Sequence, residues 1–326
     1  MKTLVLHKNK LYFSLICLLC LGVGLVIGRV TKDPLIIRSK VLRESGYTYI
    51  NPVLLCNTDN QQAYNENKIL SKKLISYVNS HTENDISVYF LGLSGGSWAS
   101  INENETYSPA SMLKVQTMVD ALKYAESNPN ILSKQVYYDG SFDNNKAEYF
   151  KPQKSLEAGK YYTIDQLIQY MITYSDNNAA KLLHDNIDSQ SLQELYKDLS
   201  IEIPQNTIDF MNAKTYALFL RVLYNSTYLN REMSEKALKL MLAPDFPVGL
   251  QAGIDPKIEI AQKFGERQIF DTKGNLLKRE LHDCGIIYKD KTPYILCVMT
   301  RGDDFQKMAT SIKDVSKIVY DDLNEQ

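Results

Sequence analysis

Residues 107–120 read Y-S-P-A-S-M-L-K-V-Q-T-M-V-D, and this run predicts the start of a helix that carries a nucleophile. Ser108 is a suitable N-cap, because its hydroxyl can accept a hydrogen bond from an unpaired N–H of the first turn. Pro109 suits the first helical position, where its missing N–H costs nothing. Ser111 then falls in the first turn, and Lys114 lies three residues later on the same face.

The pairing of Ser111 with Lys114 is chemically useful only if the lysine can lose its proton. A serine hydroxyl is a weak nucleophile until a base removes its proton, and a lysine is such a base when burial or a second cation lowers its pKa. The positive end of the helix also favours negative charge that develops near Ser111. Apolar residues follow at helical spacing and predict that one side of the helix is buried: Met112, Val115, Val119 and Leu122.

The S-x-x-K spacing is weak support by itself. At ordinary serine and lysine frequencies, a chain of this length contains on the order of one such match by chance. A solvent-facing serine with a surface lysine is therefore the alternative interpretation, and the rest of the chain must decide between the two.

The composition is that of an ordinary globular protein. The chain has 326 residues, of which 44% are hydrophobic and 23% are charged, so it can form one large domain or two small ones. A net charge of −1 gives no indication of nucleic-acid binding. Five irregularly placed cysteines do not predict a disulfide framework, and no cysteine or histidine spacing predicts a metal site, so we expect no metal and no cofactor.

The N-terminal segment predicts a transmembrane anchor. Residues 11–28 are apolar and uncharged, close to the minimum length for a membrane-spanning helix, and three lysines precede them. A cleaved signal peptide is the alternative, but no A-x-A cleavage site follows the apolar run. We therefore expect a short N-terminal tail inside the cell at residues 1–10 and a single-pass cell-membrane anchor at 11–28. A connector at 29–62 and an extracytoplasmic domain at 63–326 should follow.

The hydrophobic periodicity of residues 63–326 predicts an α+β fold. The expected order is a helix, two strands in a hairpin, a helical middle section, three strands and a terminal helix. The first and last strands would share one antiparallel sheet, with the helical middle section packed beside it. Residues 128–160 are polar and are expected to be irregular.

A polar loop interrupts the helical middle section. Residues 163–166 carry a capping-box signature, and the helix that they begin should end at the polar run 174–177. A new helix should begin near Asn178. A polar loop between two buried helices can hold its side chains rigidly toward a cleft.

Two short motifs suggest other functions. Residues 92–96 match G-x-S-x-G, the nucleophile elbow of α/β-hydrolases, but an elbow precedes a helix and here a second strand follows. A hairpin turn explains these glycines. Arg301, Gly302 and Asp303 form an R-G-D sequence, which we interpret as a tight turn at the end of a strand.

Three motifs occur in a meaningful order: S-x-x-K at residues 111–114, S-D-N at 175–177, and K-F-G at 263–265 in place of K-T-G. S-D-N is expected by chance well below once per chain. On these motifs the chain resembles the class A β-lactamase and penicillin-binding serine hydrolase superfamily over about residues 63–326. The resemblance implies a helical subdomain against a five-stranded antiparallel sheet flanked by helices, with the site in the cleft between them.

Chemical roles follow for the residues of the three motifs. Ser111 would attack an acyl carbonyl, and Lys114 would take its proton directly or through water. Lys263 would lower the pKa of Lys114 and attract a substrate carboxylate. Ser175 is suited to pass a proton to the leaving nitrogen, and Asn177 is suited to hold a substrate amide.

The remaining site residues shape the loop and the oxyanion hole. We expect Asp176 to brace the S-D-N loop. In the resembled family two backbone N–H groups form the oxyanion hole, and here the resemblance implies those of Ser111 and of Glu266, the residue after Gly265.

Two departures from the family pattern bear on activity. Phe264 replaces threonine, which removes a hydroxyl that helps to hold a substrate carboxylate and adds bulk. The resembled β-lactamases carry an E-x-x-L-N loop whose glutamate positions the deacylating water, and residues 202–206 match it only approximately. Glu202 is a candidate for this deacylation base, although we interpret it as a loop residue. Without a placed base, the acyl-enzyme would hydrolyse slowly.

The sequence is compatible with three functions. The first is a membrane-anchored acyl-serine hydrolase that acts on an amide or a β-lactam. The second is a peptidoglycan D,D-peptidase related to the penicillin-binding proteins, and the third is a catalytically weak wall-binding protein. We expect a monomer that acts on a small molecule or a peptidoglycan-like substrate.

Overall fold

The computed structural model describes residues 42–55, 65–187, 190–199, 201, 207–242, 246–290 and 292–325. The predicted anchor at residues 11–28 and the candidate base Glu202 lie outside these ranges. In the part of the chain that is described, no helix combines the length and the apolar character needed to cross a membrane.

The strands of the described residues form one large sheet and two small ones. Their bounds are β1 (Leu42–Arg43), β2 (Val53–Leu55), β3 (Asp85–Gly92), β4 (Trp98–Ile101), β5 (Gln135–Tyr138), β6 (Lys160–Thr163), β7 (Ile260–Phe270), β8 (Leu276–Ile287) and β9 (Tyr294–Gly302). The large sheet has five antiparallel strands in the order β4-β3-β9-β8-β7, so β7 is an edge strand. This sheet confirms the predicted sharing of N-terminal and C-terminal strands.

Helices cover both faces of the large sheet. Their bounds are α1 (Lys68–Ser80), α2 (Leu113–Ser127), α3 (Ile164–Thr173), α4 (Asn177–Asn186), α5 (Gln190–Asp198), α6 (Ala213–Asn225), α7 (Arg231–Leu240) and α8 (Phe305–Asp322). Helices α1 and α8 pack on one face, where they bury a core that includes Leu70, Leu74, Ile312 and Val315. The helical middle section packs on the other face around a second core. The alternation of side chains along each strand therefore fills two cores at once.

Helix α2 is the centre of the second core. Its apolar residues Val115, Val119 and Leu122 are buried, as the helical spacing predicted. The polar residues Gln116 and Asp120 are also buried, so the helix is enclosed on more than the one side that the sequence predicted. The hydroxyl of Tyr196 donates a 2.7 Å hydrogen bond to Gln116 Oε1, which satisfies part of that buried amide.

The start of α2 differs from the prediction. The chain turns first through a short 3₁₀ segment, Ala110–Met112, and the α-helix begins at Leu113. The side chain of Ser108 does not cap this helix, because the cap position is Pro109 and carries no side-chain hydrogen bond. Ala110 adopts φ +48°, a left-handed conformation that is strained for any residue with a Cβ. The turn that carries Ser111 is therefore sharper than a capped helix start.

The strand bounds show where the hydrophobic pattern misled the prediction. Strands β7 and β8 extend beyond the predicted runs, because their outer ends mix charged residues with exposed apolar ones such as Phe270 and Leu277 and pair through the backbone. Strands β5 and β6 form a hairpin at the ends of a region that we expected to be irregular. Backbone pairing needs no hydrophobic period, so neither feature gives a sequence signal.

A disulfide joins the two central strands β8 and β9, which the scattered cysteines did not predict. Cys284 and Cys297 are cross-strand partners in the register, and both are fully buried. Thirteen positions separate them in sequence, but the hairpin brings them face to face.

We expect the double substitution Cys284→Ala and Cys297→Ala to lower the free energy of unfolding by about 3 kcal/mol, because the unfolded chain gains the entropy that the cross-link removes. Urea unfolding of both proteins measures this difference. Wild type in a strong reductant is the control and should approach the variant. Peptide mapping that finds both thiols free in the oxidised protein would contradict the prediction.

Candidate active site

The Ser175 hydroxyl lies between two lysine amines. Lys114 Nζ of α2 is 3.2 Å from Ser175 Oγ, and Lys263 Nζ of β7 is 2.9 Å from the same atom. Ser175 itself is 8% exposed and adopts φ +57°, so a strained backbone aims its hydroxyl between the amines. The second and third motifs and the lysine of the first therefore meet at one atom.

Lys114 is buried and surrounded by hydrogen-bond acceptors. Its Nζ donates to Ser175 O at 2.6 Å and to Asn177 Oδ1 at 2.6 Å, and the side chain is 6% exposed. Burial lowers the pKa of Lys114 to about 8, and the carboxylates of Glu148, Asp176 and Glu266 oppose this change. Of the two causes that the sequence suggested, burial and a second cation at Lys263, burial is the one that lowers the pKa of Lys114. Near neutral pH a usable fraction of this amine is unprotonated.

Lys263 is more deeply buried than Lys114. Its Nζ donates to the Phe264 carbonyl at 3.1 Å and lies 4.3 Å from the centre of the Phe264 ring, and the side chain is 1% exposed. A cation above an aromatic face is stabilised electrostatically when water is excluded. The ring thus helps to hold a charged amine beside Ser175.

The Phe264 ring does not fill the cleft. It stacks on Phe246 with ring centres 4.3 Å apart and belongs to the core beneath α8, where it is 4% exposed. Adjacent strand residues point to opposite faces, and Gly265 faces the helical side. The Phe264 ring is therefore accommodated in the core beneath α8 and not in the cleft. The missing threonine hydroxyl remains a departure from the family pattern.

Ser111 lies on the 3₁₀ turn, half-buried, one turn before Lys114. Strand β7 presses against this turn at Gly265. A Cβ at Gly265 would lie 2.7 Å from Pro109 O and 3.1 Å from Met112 N, so only glycine allows the approach. Gly265 thereby brings β7 and the Glu266 backbone beside the Ser111 turn.

Asp176 braces the S-D-N loop, as predicted. Its Oδ1 caps α4 by accepting from Asn178 N at 2.8 Å, and its Oδ2 accepts from Leu156 N at 2.7 Å. Asn145 Nδ2 also donates to Asp176 Oδ1, at 2.8 Å. A fully buried carboxylate with four donors, including Ala179 N, fixes the loop between α3 and α4.

A buried network holds the residues before Ser111. His282 Nε2 donates to Ser108 O at 3.0 Å, and burial lowers the pKa of His282 to about 3, so this histidine is neutral. Ser108 N donates to Glu280 Oε2 at 3.3 Å, and Arg301 pairs with Glu280 at 2.7 Å. Ser108 therefore anchors the turn to β8 through its backbone.

Residues 143–151, here called the strap, were missed by the sequence analysis. Asn145 Oδ1 accepts from Asn177 N at 2.8 Å, Glu148 Oε1 accepts from Asn177 Nδ2 at 2.6 Å, and Phe150 N donates to Glu266 Oε1 at 2.9 Å. No periodic pattern marks these residues, because each is positioned by a partner far away in sequence. Within the described residues, no cluster of three histidine, cysteine or carboxylate side chains could hold a metal ion.

Comparisons with solved structures give the same fold at low sequence identity. PBP-A matches with a TM-score of 0.67 and 18% identity over 80% of this chain and 98% of that chain. A β-lactamase from Xanthomonas campestris pv. campestris matches with a TM-score of 0.64 and 18% identity, covering 79% and 99% of the two chains. A class A β-lactamase from Mycobacterium abscessus gives 0.63 and 17%, covering 78% and 99%.

Sequence comparison supplies the family. No curated protein gives a significant match to this chain. The family model described as the beta-lactamase enzyme family matches residues 69–323, which span most of the chain and include all three motifs. The chain therefore belongs to the beta-lactamase enzyme family.

Proposed function

We propose that the protein is a membrane-anchored, extracytoplasmic serine hydrolase that forms an acyl-serine intermediate with an amide or β-lactam substrate. The observation that carries the proposal is a buried amine of lowered pKa, Lys114, one turn after the half-exposed Ser111 and bonded to Ser175. This arrangement provides a base for the attack and a second hydroxyl for the leaving group.

Acylation uses these groups in order. Neutral Lys114 takes the proton of Ser111 as Oγ bonds to the substrate carbonyl carbon. The backbone N–H groups of Ser111 and Glu266 stabilise the oxyanion that forms. The C–N bond then breaks while Ser175 gives its proton to the leaving nitrogen, and protonated Lys114 restores the proton of Ser175. Lys263 stays positively charged throughout and attracts a substrate carboxylate.

Deacylation is the slow step in this proposal. Water must attack the ester, and in the resembled family a glutamate positions this water. The candidate for that glutamate here is Glu202, which we interpret as a loop residue without this role. A mutant of PBP-A, one of the proteins of similar fold, has been solved as an acyl-enzyme complex with penicillin G, which supports acylation by a β-lactam. We therefore propose a poor deacylator rather than an efficient β-lactamase.

A peptidoglycan D,D-peptidase is the second candidate function. It would acylate by the same groups but transfer the acyl group efficiently only from wall peptides. The approximate match of residues 202–206 to the E-x-x-L-N pattern favours it over an antibiotic-destroying enzyme. The main argument for a non-catalytic wall-binding protein was Phe264, and burial of that ring beneath α8 weakens it.

An extracytoplasmic location is supported by two separate features. Residues 11–28 have the composition of a membrane span. The disulfide between Cys284 and Cys297 is of the kind that forms and persists in oxidising compartments.

Fluorescent penicillin tests the proposal directly. Wild type should become covalently labelled, and Ser111→Ala should not, because the attacking oxygen is gone. Ser94→Ala is the matched control, since Ser94 is the exposed serine of the G-x-S-x-G match, and it should label like wild type. Equal labelling of wild type and Ser111→Ala would refute the proposal, and intact-mass measurement over time reports deacylation in the same samples.

The pH dependence of acylation tests the role of Lys114. The rate constant should rise about tenfold per pH unit below pH 8 and level off above it, because the neutral amine is the base and its pKa is lowered to about 8. Stopped-flow acylation across this range measures the profile. Lys114→Arg, which cannot lose its proton, should be far slower and show no such rise. A wild-type rate that is flat between about pH 5 and 9 would contradict the assignment.

The substitution Gly265→Ala tests the contact between β7 and the Ser111 turn. The new methyl group would meet Pro109 O and Met112 N and push Glu266 N–H away from the oxyanion. We expect acylation to slow by roughly 100-fold, the scale of a 1 Å misplacement, with thermal stability measured alongside. Gly95→Ala is the control, because no atom lies within 4 Å of its new Cβ. An unchanged rate would show that this approach is not needed.

A further inference from the structure

The strap, residues 143–151, is tied to the S-D-N loop at one end. Asn144 N donates to Asn178 Oδ1 at 2.7 Å. Asn145 uses both ends of its amide, since Nδ2 donates to Asp176 and Oδ1 accepts from Asn177 N at 2.8 Å. This end is part of the loop that holds Ser175.

The other end of the strap is tied to the sheet. Phe150 N donates to Glu266 Oε1, and the Phe150 ring packs edge-on against Phe246 and Phe264 with ring centres 5.0 Å and 6.1 Å apart. Gln306 of α8 donates to the Tyr149 hydroxyl at 3.3 Å. The strap therefore runs from the S-D-N loop to β7, across the cleft between them.

Glu148 lies in the middle of this span and engages Asn177. Asn177 Nδ2 donates to Glu148 Oε1 at 2.6 Å, while Asn177 Oδ1 accepts from Lys114. The side-chain amide of Asn177, which we assign to substrate binding, is thus already hydrogen-bonded to Glu148 of the protein itself. A short hydrogen bond to a charged acceptor is stronger than one to a neutral amide, so a substrate must replace a favourable contact.

Glu266 faces Glu148 from β7. Its side chain is 8% exposed, and among the described residues its buried Oε2 has no hydrogen-bond donor. Burial, followed by the carboxyl of Glu148, raises the pKa of Glu266 to about 8. The proton that Glu266 keeps therefore prevents repulsion between the two neighbouring carboxyl groups.

Other charged groups surround the pair, and one of them, Lys114, titrates in the same interval because its pKa is lowered to about 8. Lys114 of α2 and Asp176 of the S-D-N loop face it with opposite signs, and Lys263 lies three residues before Glu266 on β7. Within the strap, Lys151 Nζ donates to Asn145 O at 3.1 Å and so is directed to the strap backbone. Lys114 and Glu266 therefore both change charge near neutral pH, and Glu266 is the one that accepts a hydrogen bond from the strap, at Phe150 N.

We propose that Glu148 and Glu266 are specificity-determining residues: Glu148 holds the strap on Asn177, Glu266 holds it on β7, and a substrate with an acylamino side chain must open it. The inference rests on the proposed function, because it takes Asn177 as the group that holds the substrate amide. A substrate without that side chain does not need Asn177 and reaches Ser111 past the closed strap.

The direction of the pH effect follows from proton counting. With the strap closed Glu266 keeps its proton up to about pH 8, whereas with the strap open its carboxyl group has an ordinary pKa and is ionised at neutral pH. The closed form therefore binds one more proton between about pH 5 and pH 8, so raising the pH over this interval favours opening. Discrimination against acylamino substrates should weaken over that interval.

Two β-lactams separate this effect from the titration of Lys114. Benzylpenicillin carries an acylamino side chain and penicillanic acid sulfone does not. We use the ratio of the benzylpenicillin acylation rate constant to that of the sulfone. Lys114 acts as the base for both substrates, so its contribution cancels in this ratio. In wild type we expect the ratio of the benzylpenicillin rate constant to the sulfone rate constant to rise between about pH 5 and pH 8 and to level off above pH 8, because only the closed strap keeps the proton of Glu266 in this interval.

Variants of Glu148 give opposite results under this proposal. Glu148→Ala should raise the ratio at pH 7 roughly tenfold, the factor expected for loss of one charge-assisted hydrogen bond. Glu148→Gln can still bridge Asn177 and Glu266, and its neutral amide does not repel Glu266, so the ratio for this variant should stay low at every pH. Glu157→Ala, an exposed carboxylate outside the strap, is the matched control and should follow wild type.

Amide hydrogen exchange of residues 143–151 tests the closure of the strap without any chemistry. After correction for the intrinsic pH dependence of exchange, protection should fall in wild type as the pH rises from about 5 to about 8 and be low at every pH in Glu148→Ala. Acylation of Ser111 with a ratio that neither pH nor Glu148→Ala changes would overturn the inference, and so would equal protection in wild type and Glu148→Ala. Failure of both β-lactams to acylate any variant would instead refute the proposed function.

Discussion

The hydrogen bonds from two buried amines to the Ser175 hydroxyl are the constraint on which the site depends. Lys114 comes from α2, Lys263 comes from β7, and Ser175 comes from the loop between α3 and α4. These segments belong to the helical middle section and to the sheet, so the three groups meet only when both cores are packed. Buried polar groups must be satisfied, and this requirement fixes the relative positions of helix, loop and strand.

Burial has opposite chemical consequences on the two sides of the cleft. It lowers the pKa of Lys114, which makes an amine available as a base, and it raises the pKa of Glu266, which keeps a carboxyl group protonated. Both shifts favour the neutral form, because desolvation penalises charge of either sign. The cleft thereby places a base and an acidic proton in the same pH interval, and Asn177 links their surroundings, because it accepts from Lys114 and donates to Glu148.

Much of the fold and part of the site were predictable from local patterns. The helical spacing after Ser111 predicted a buried helix, the β-rich runs predicted the shared antiparallel sheet, and Asp176 was correctly expected to brace its loop. The Ser108 cap was wrong, because its backbone is held by His282 and Glu280 on a distant strand. The strap, the disulfide and the β5-β6 hairpin left no periodic signal, since each depends on partners that are remote in sequence.

The sequence by itself determined the order of the elements, the three motifs and their residue types, because periodicity and motif spacing are local properties of a chain. The tertiary structure alone decided that the Phe264 ring packs beneath α8, that burial rather than Lys263 lowers the pKa of Lys114, and that Glu148 reaches Asn177. Burial and proton affinity depend on what the rest of the chain packs around a group, and no short stretch of sequence contains that information.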